Sequence, residues 1–277
     1  MALRLRAVGE PNALAIDELG SGSPLVLMHG LGTTREVWHR VRDPLATERR
    51  VIASDLPGFG DSPPAGPGFD LDAVADRVAE SLGERAGEPF DLVGHSLGGG
   101  LAVLVASRHP QMVRTLVLVA PAGFAPRPRL LGAALGAGAG TLLRARRVVG
   151  RPLTGSPLAR RVLLFGPVAD GARLPPEDAE FLLSASAKAR RLREALEAIV
   201  SRDLGDELAE LSVPVGAIWG RRDRIVPVAA SARLAERRPQ APVELVEGAG
   251  HVIQLEDPDA FLAALVRVEA RLEPVTA

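Results

Sequence analysis

The sequence predicts an α/β protein in which a mostly parallel sheet is covered by helices on both sides and is interrupted by a helical insertion. Three observations support this fold class. Short apolar runs typical of strands alternate with helical patterns up to residue 122 and again from residue 212. A glycine-rich turn joins one of these strands directly to a helix. Residues 123–211 contain several helical patterns but no convincing strand.

The first half of the chain begins with two short strand patterns, Leu3 to Val8 and Ala13 to Glu18, which predict a hairpin. Pro24 to Met28 is a continuous apolar run bounded by glycines, as in a strand that is covered on both faces. A third pattern, Arg50 to Ser54, predicts another strand. Leu71, Val74, Val78 and Leu82 then recur at helical spacing and predict an amphipathic helix against the sheet.

The alternation continues through the strand patterns Phe90 to Val93 and Thr115 to Val119. It then stops, and it resumes at Val215 to Trp219 and Val243 to Val246, before a last helix over Asp259 to Leu272. The helical stretch between these two parts is best explained as an inserted cap. We therefore expect residues 1–122 and 212–277 to form one core domain and residues 123–211 to form the cap.

Composition limits the possible functions. The 277 residues are 47% apolar and 24% charged, which is ordinary for a globular protein, and the net charge of -1 gives no reason to expect nucleic-acid binding. The absence of cysteine excludes disulfides and thiol catalysis. The longest uncharged apolar run, Leu130 to Leu143, is shorter than the roughly 20 residues that span a bilayer. The beginning of the chain lacks a secretory signal, so we expect a cytoplasmic location.

The candidate nucleophile lies in the turn Gly94-His95-Ser96-Leu97-Gly98. An apolar strand precedes this turn and a helical pattern follows it, which is the context of a nucleophile elbow. Side chains at Gly94 and Gly98 would collide in so tight a turn. The turn also exposes the Ser96 hydroxyl at a helix N-terminus, where free N–H groups stabilise a developing negative charge.

A serine nucleophile needs a base, because its hydroxyl is protonated at neutral pH. His251 is the best candidate of the five histidines, since it follows the last predicted strand in a glycine-rich loop. Asp223, just after the strand ending at Trp219, is the candidate carboxylate that orients this histidine. The remaining histidines are expected to have structural positions; they are His29, His39, His95 and His109.

Two backbone N–H groups are candidates for the oxyanion hole that acyl transfer requires. One belongs to Leu97, directly after the nucleophile, and the other to Leu31 in the loop Gly30-Leu31-Gly32.

Taken together, these motifs resemble the α/β-hydrolase family over nearly the whole chain, and the order Ser, Asp, His is the order of that family. The resemblance implies an eight-stranded core sheet and a helical lid over the active site. It also implies that the loop from Asp55 to Ser62 is structural, with no catalytic role for Asp55 or Asp61. The motifs that carry the resemblance are His29-Gly30, Asp55 to Ser62, Gly94 to Gly99, Gly220 with Asp223 and Pro227, and Gly250-His251.

A serine at the elbow implies an acyl-enzyme intermediate, and the leading prediction is hydrolysis of a carboxylic ester or lactone of a small, lipophilic substrate. Two alternatives remain open: hydrolysis of a carbon–carbon bond in a vinylogous diketone, and a catalytically weak small-molecule receptor. Thioester cleavage, amide cleavage and perhydrolysis by the same triad are further possibilities. Epoxide and haloalkane hydrolases of this family resemble the core but carry aspartate in place of Ser96. No metal or cofactor is expected, because the sequence contains no phosphate-binding loop, dinucleotide fingerprint or histidine pair at ligand spacing.

The predicted cap contains apolar residues that could either line a lipophilic entrance or pack against the core. It also contains many arginines, most of them expected on solvated helix faces, with one or two able to meet a substrate carboxylate. The apolar candidates are Leu130, Leu131, Leu135, Leu142, Leu143, Leu163, Leu164, Phe165, Phe181 and Leu182.

Overall fold

A computed structural model describes residues 13–87, 89–124 and 129–272, without the side chains of residues 129–137, 139 and 140. Seven strands form a single sheet in this part of the chain, in the order β1-β3-β2-β4-β5-β6-β7. The strands are β1 (Ile16–Leu19), β2 (Pro24–Met28), β3 (Arg50–Ser54), β4 (Phe90–His95), β5 (Val113–Val119), β6 (Val215–Gly220) and β7 (Val243–Val246).

Only β1 runs antiparallel to its neighbour, with Ile16 opposite Ser54 of β3. All other pairs are parallel, as in β2 and β4, where Leu25 lies opposite Asp91. Because parallel strands end at the same edge, the loops that follow β2, β4, β6 and β7 meet there. These loops carry the residues predicted to form the site.

Helices cover both faces of the sheet. The side chains of β2 show the division: Val26 and Met28 pack on one face, with Leu25 and Leu27 on the other, and all are fully buried. The first face is covered by α2 (Leu71–Ala86), α3 (Leu97–Arg108) and α9 (Ala230–Arg237), and the second by α1 (His39–Leu45) and α11 (Pro258–Glu269).

Helix α2 illustrates how the sequence specifies these elements. The Asp70 carboxylate caps the helix by accepting the N–H of Ala73 at 2.8 Å, and Gly87 ends it with a positive φ of 71°. The four residues predicted to face the sheet, Leu71 to Leu82 at helical spacing, are all buried. Burying a leucine or valine contributes roughly 1.5–3 kcal/mol, so this stripe fixes which face of α2 contacts the core.

Between β5 and β6 the described residues form helices joined by loops and turns. They form α4 (Arg129–Gly150), α5 (Pro157–Leu163), α6 (Pro176–Ala185), α7 (Leu192–Ser201) and α8 (Gly205–Glu210). We call residues 129–211 the cap segment. Helix α4 packs along α7, and α7 contacts α2 and α3 of the core. Leu143 of α4 and Leu192 of α7 lie beside Gly32 in the loop after β2, so the cap segment covers the edge of the sheet where the loops meet.

The predicted α/β class is confirmed, with a mostly parallel sheet and flanking helices. The predicted strand Leu3 to Val8 lies outside the described residues, and the described sheet has seven strands where eight were expected. In the described part of the chain, no helix is both long and apolar enough to cross a membrane.

Candidate active site

The turn after β4 holds Ser96 in a strained backbone conformation, with φ 54° and ψ -116°. Positive φ is unfavourable for a residue with a side chain, and such strain occurs mostly at functional sites. Two backbone hydrogen bonds hold the turn: the Ser96 N–H donates to Val119 O at 2.9 Å, and the Gly99 N–H donates to Ser96 O at 2.9 Å. The strand-turn-helix predicted from the sequence is therefore present around this serine.

The two glycines of the elbow are required by close backbone contacts. A Cβ atom on Gly94 would lie 2.5 Å from Gly98 O, and a Cβ on Gly98 would lie 2.5 Å from His29 O. Neither backbone oxygen can move away without disrupting α3 or the loop after β2. Helix α3 consequently starts close against that loop, with Ser96 as its N-cap residue.

The loop after β2 approaches the elbow closely, since a Cβ on Gly30 would lie 3.0 Å from Ser96 Cβ. Within the described residues, no acceptor binds the backbone N–H of Leu31 or of Leu97. Both residues line the same cavity as Ser96. Two donors are thus available on either side of the serine, as an oxyanion hole requires.

His29 fixes this loop. Its Nδ1–H donates to Gly30 O at 2.8 Å, and its Nε2 accepts the N–H of Leu56 at 2.9 Å. This pattern requires a neutral ring. Burial lowers the pKa of His29, although the Asp55 carboxylate opposes the shift. These contacts agree with the prediction that His29 has a structural position.

His251 and Asp223 form a close pair. The His251 Nδ1–H donates to Asp223 Oδ2 at 2.7 Å, and both residues are 6% exposed. The other oxygen, Asp223 Oδ1, accepts the N–H groups of Ile225 and Val226 at 2.8 and 2.9 Å. This carboxylate fixes the ring and its tautomer, which leaves His251 Nε2 able to accept a proton.

The backbone of the His251 loop is held by residues distant in sequence. His95 Nε2–H donates to His251 O at 2.9 Å, and the N–H groups of His251 and Val252 donate to Pro167 O at 3.1 and 3.2 Å. Burial holds the pKa of His95 well below its usual value, and the nearby His251 lowers it further. A neutral His95 therefore supports the loop from the core side, while Pro167 supports it from the cap segment.

Glu256 is the residue of this site that the sequence reasoning missed. Its carboxylate accepts the N–H of Gly250 at 3.0 Å, the N–H of Val252 at 3.3 Å and, from the cap segment, the N–H of Ala169 at 2.7 Å. Burial raises the pKa of Glu256, and these N–H groups oppose the shift by stabilising the ionised form. The only available sequence signal is a glutamate five residues after the candidate base, at the end of the short helix α10 (Ile253–Glu256).

A cavity of about 690 Å³ lies between the core loops and the cap segment. Ser96 and His251 both line it, together with Leu31 and Leu97. No hydrogen bond joins the Ser96 hydroxyl directly to the His251 ring among the described residues. Catalytic contacts of this kind are often long before substrate binds.

The cap segment contributes mainly apolar side chains to this cavity. Of the apolar candidates named from the sequence, Leu142, Leu143, Leu163, Leu164 and Leu182 line it. Phe165 is exposed, Phe181 contacts His39 instead, and the side chains of Leu130, Leu131 and Leu135 lie outside the described residues. Arg146 is the one arginine among the described lining residues, which include no carboxylate.

The structure thus brings the five predicted site residues to one cavity or its border. Ser96, His251, Leu31 and Leu97 line it, and Asp223 lies behind His251. Asp55 has the structural position expected for it, because its carboxylate binds the N–H of Arg35 at 2.7 Å and the N–H of Asp61 at 2.8 Å.

Fold, elbow and sequence agree on the class of protein. The profile of the α/β hydrolase fold family matches residues 23–258, and this chain belongs to that family. It is similar to the pimeloyl-[acyl-carrier protein] methyl ester esterase of Aeromonas hydrophila, at 32% identity over 90% of this chain and 96% of that protein. The chain is therefore a hydrolase with esterases among its relatives.

Solved structures of other proteins share this fold. A membrane phospholipase A described as a bacterial virulence factor is 29% identical over 92% of this chain and 83% of that one, with a TM-score of 0.69. An esterase from Thermogutta terrifontis shares the fold over 99% of this chain and 100% of that one, at 24% identity and a TM-score of 0.73.

Proposed function

We propose that this protein hydrolyses a carboxylic ester or lactone of a small, lipophilic substrate through an acyl-enzyme on Ser96. The observation that carries the proposal is that a strained serine and an aspartate-bound imidazole line one mostly apolar cavity. His251 acts as the general base and acid, Asp223 orients it, and the N–H groups of Leu31 and Leu97 bind the oxyanion.

In the first half-reaction, Ser96 Oγ attacks the carbonyl carbon while its proton moves to His251 Nε2. The tetrahedral intermediate collapses when the C–O bond to the alcohol breaks, and the His251 imidazolium returns the proton to that oxygen. Water then attacks the acyl-enzyme by the same route and releases the acid and the free serine. The Asp223 carboxylate stabilises the imidazolium in both halves.

The lipophilic preference follows from the cavity walls. Leucines of the cap segment face the serine, and the described lining residues include no carboxylate that would repel or bind a polar substrate group. The relatives that are named as esterases or as a phospholipase act on acyl esters, which agrees with this choice.

The two alternatives have less support. Cleavage of a carbon–carbon bond in a vinylogous diketone needs polar groups for a second oxygen-rich part of the substrate, and Arg146 is the one charged side chain among the described lining residues. A receptor without catalysis does not require the Asp223–His251 pair or the strain at Ser96.

The test is a series of nitrophenyl esters with increasing acyl length. We expect turnover by the natural protein, a kcat/KM that rises from acetate to medium-chain esters, and a loss of about 10⁴-fold or more for Ser96→Ala and Asp223→Asn. Ser201→Ala is the matched control, because that hydroxyl donates to Glu197 O within α7 and Ser201 itself does not line the cavity.

A fluorophosphonate inhibitor distinguishes an enzyme from a receptor. We expect one covalent adduct, located on Ser96 by mass spectrometry, and none on the Ser96→Ala variant. Equal ester turnover by the natural protein and by Ser96→Ala, or an adduct on another residue, would exclude the proposed nucleophile.

A further inference from the structure

The first half of the cap segment has an unusual charge distribution. The whole chain contains 34 aspartates and glutamates, yet none occurs from Leu92 to Ala169. Within the cap segment, that stretch carries seven arginines: Arg129, Arg144, Arg146, Arg147, Arg151, Arg160 and Arg161. This stretch of sequence therefore carries a net positive charge in a protein whose net charge is -1, although Arg160 is buried.

The same region exposes most of the large apolar side chains that reach solvent. Of nine such residues in the described chain, seven lie between positions 142 and 165. We define the outer cap patch as the six of these that do not line the cavity. They are Val148, Val149, Leu153, Leu158, Val162 and Phe165, each between 46% and 70% exposed. Single exposed apolar residues are normal, but a concentration of them marks an interaction surface.

The outer cap patch is continuous with the mouth of the cavity. Leu142 and Ile225 line the cavity and are nevertheless 52% and 50% exposed. Arg146, one turn from Leu142, donates to Phe165 O at 3.2 Å, and the Arg224 guanidinium lies 4.8 Å from the centre of the Phe165 ring. A substrate entering at Leu142 and Ile225 would therefore pass beside the patch.

Two arginines near the patch lack a carboxylate partner in the part of the chain that the structure describes. Among the described residues, no carboxylate lies within 4.0 Å of the Arg144 or Arg147 guanidinium, whereas Arg151 and Arg161 pair with Glu180 and Asp170. A surface that combines exposed apolar groups with arginines is complementary to a lipid surface. The acyl region of the lipid can bury the apolar groups, and anionic headgroups can bind the arginines.

We propose that the outer cap patch docks on an anionic lipid surface and that a lipophilic ester enters the cavity directly from it. An acidic protein would also attract the arginines, but it would leave much of the apolar surface without a partner. The docking step is independent of catalysis. Only the entry of substrate from the lipid rests on the proposed esterase function.

The test is co-sedimentation of the protein with two kinds of vesicle, one of phosphatidylcholine alone and one of phosphatidylcholine mixed with phosphatidylglycerol. We expect binding to the anionic vesicles, weaker binding to the neutral ones, and loss of the difference at high salt because salt screens the headgroups.

Two variants assign this binding to the patch. Val162→Ser combined with Phe165→Ser removes two apolar contacts and should lower the vesicle affinity at least tenfold. Arg144→Gln combined with Arg147→Gln should lower the affinity for anionic vesicles about fivefold per arginine. The affinity for neutral vesicles should not change. None of these four residues lines the cavity, so turnover of a water-soluble ester should be unchanged.

Matched controls come from residues outside the outer cap patch. Val266→Ser removes an equally exposed valine from α11, and Arg237→Gln removes an equal charge from α9. Both should bind vesicles like the natural protein. Equal binding by patch variants and controls would overturn the proposal, as would failure of the natural protein to bind anionic vesicles while it hydrolyses soluble esters. In that second case the esterase function would stand and an acidic protein would become the expected partner.

Discussion

The nucleophile elbow and the His251 loop border the same cavity, but different kinds of contact hold them. The elbow is fixed by its own sequence, because Gly94 and Gly98 allow two backbone segments to touch on either side of Ser96. The His251 loop also contains a tightly packed glycine, but its contact is with the cap segment: a Cβ on Gly250 would lie 2.6 Å from Ala169 N. Its shape depends on Asp223, His95 and Pro167, which come from three other parts of the chain, and on Glu256, which follows the loop closely.

Substitutions in the elbow and in the His251 loop should therefore have different effects on stability and activity. A change in the elbow should damage folding and activity together, because the contacts there are backbone contacts of the core. A change in the supports of the His251 loop should alter the position of the base while the core remains folded. It should therefore reduce kcat more than stability.

The largest effect is expected for Gly98→Ala. The added methyl group would lie 2.5 Å from His29 O and 2.7 Å from Met28 O, and both atoms belong to the backbone at the end of β2. We expect a loss of about 3 kcal/mol in the free energy of unfolding, and a loss of activity of at least a hundredfold from displacement of the oxyanion loop. Urea denaturation and ester hydrolysis measure the two quantities.

Gly66→Ala is the control for this variant. A Cβ on Gly66 would meet no atom within 4 Å, so its stability and activity should match those of the natural protein. If Gly98→Ala behaved like Gly66→Ala, the close contact at the elbow would not constrain the site.

An intermediate effect is expected for Glu256→Gln. The amide keeps the size of the side chain but offers a single acceptor oxygen to the N–H groups of Gly250, Val252 and Ala169. The loop should become more mobile, and we expect kcat to fall roughly ten- to a hundredfold with KM nearly unchanged. Hydrogen exchange at residues 250–252 should rise in parallel.

Glu247→Gln provides the comparison, because Glu247 is near the same loop but is exposed and pairs only with Arg221. Its kinetics should not change. A Glu256→Gln variant with normal kcat would show that the loop keeps its position without this carboxylate.

The smallest effect concerns another contact between the core and the cap segment, in which His39 Nε2 of α1 lies 2.9 Å from Asp178 Oδ1 of α6. The hydrogen bond to Asp178 raises the pKa of His39, although burial opposes the shift. The charged pair therefore contributes fully below about pH 6.5, the unfolded value, and is lost as pH rises through the folded-state pKa.

Because His39 is one-third exposed, this contribution is about 0.5 kcal/mol after solvent screening. Asp178→Asn should remove that part of the pH dependence of the unfolding free energy between about pH 6 and pH 8. If Asp178→Asn left the pH dependence of the unfolding free energy unchanged, that dependence would come from other titratable groups.

The sequence predicted much of this site. Local patterns predicted the elbow around Ser96, the mostly parallel sheet and the loops that carry His251 and Asp223. They could do so because glycine sterics and apolar periodicity act over a few residues. The sequence did not predict Glu256, since one glutamate near a helix gives no signal of the N–H groups around it. Nor did it separate Arg146, which lines the cavity, from the other arginines of the cap segment.

By itself, the sequence determined the fold class, the conformation of the elbow and the identity of the candidate nucleophile, base and orienting acid. Each of these depends on residues that are close together in the chain or at the ends of predicted strands. Only the tertiary structure decided which cap residues face the cavity, which remain exposed, and how Pro167 and Ala169 support the His251 loop. Those outcomes depend on the packing of helices far apart in sequence, where a side chain's position is set by its neighbours in space.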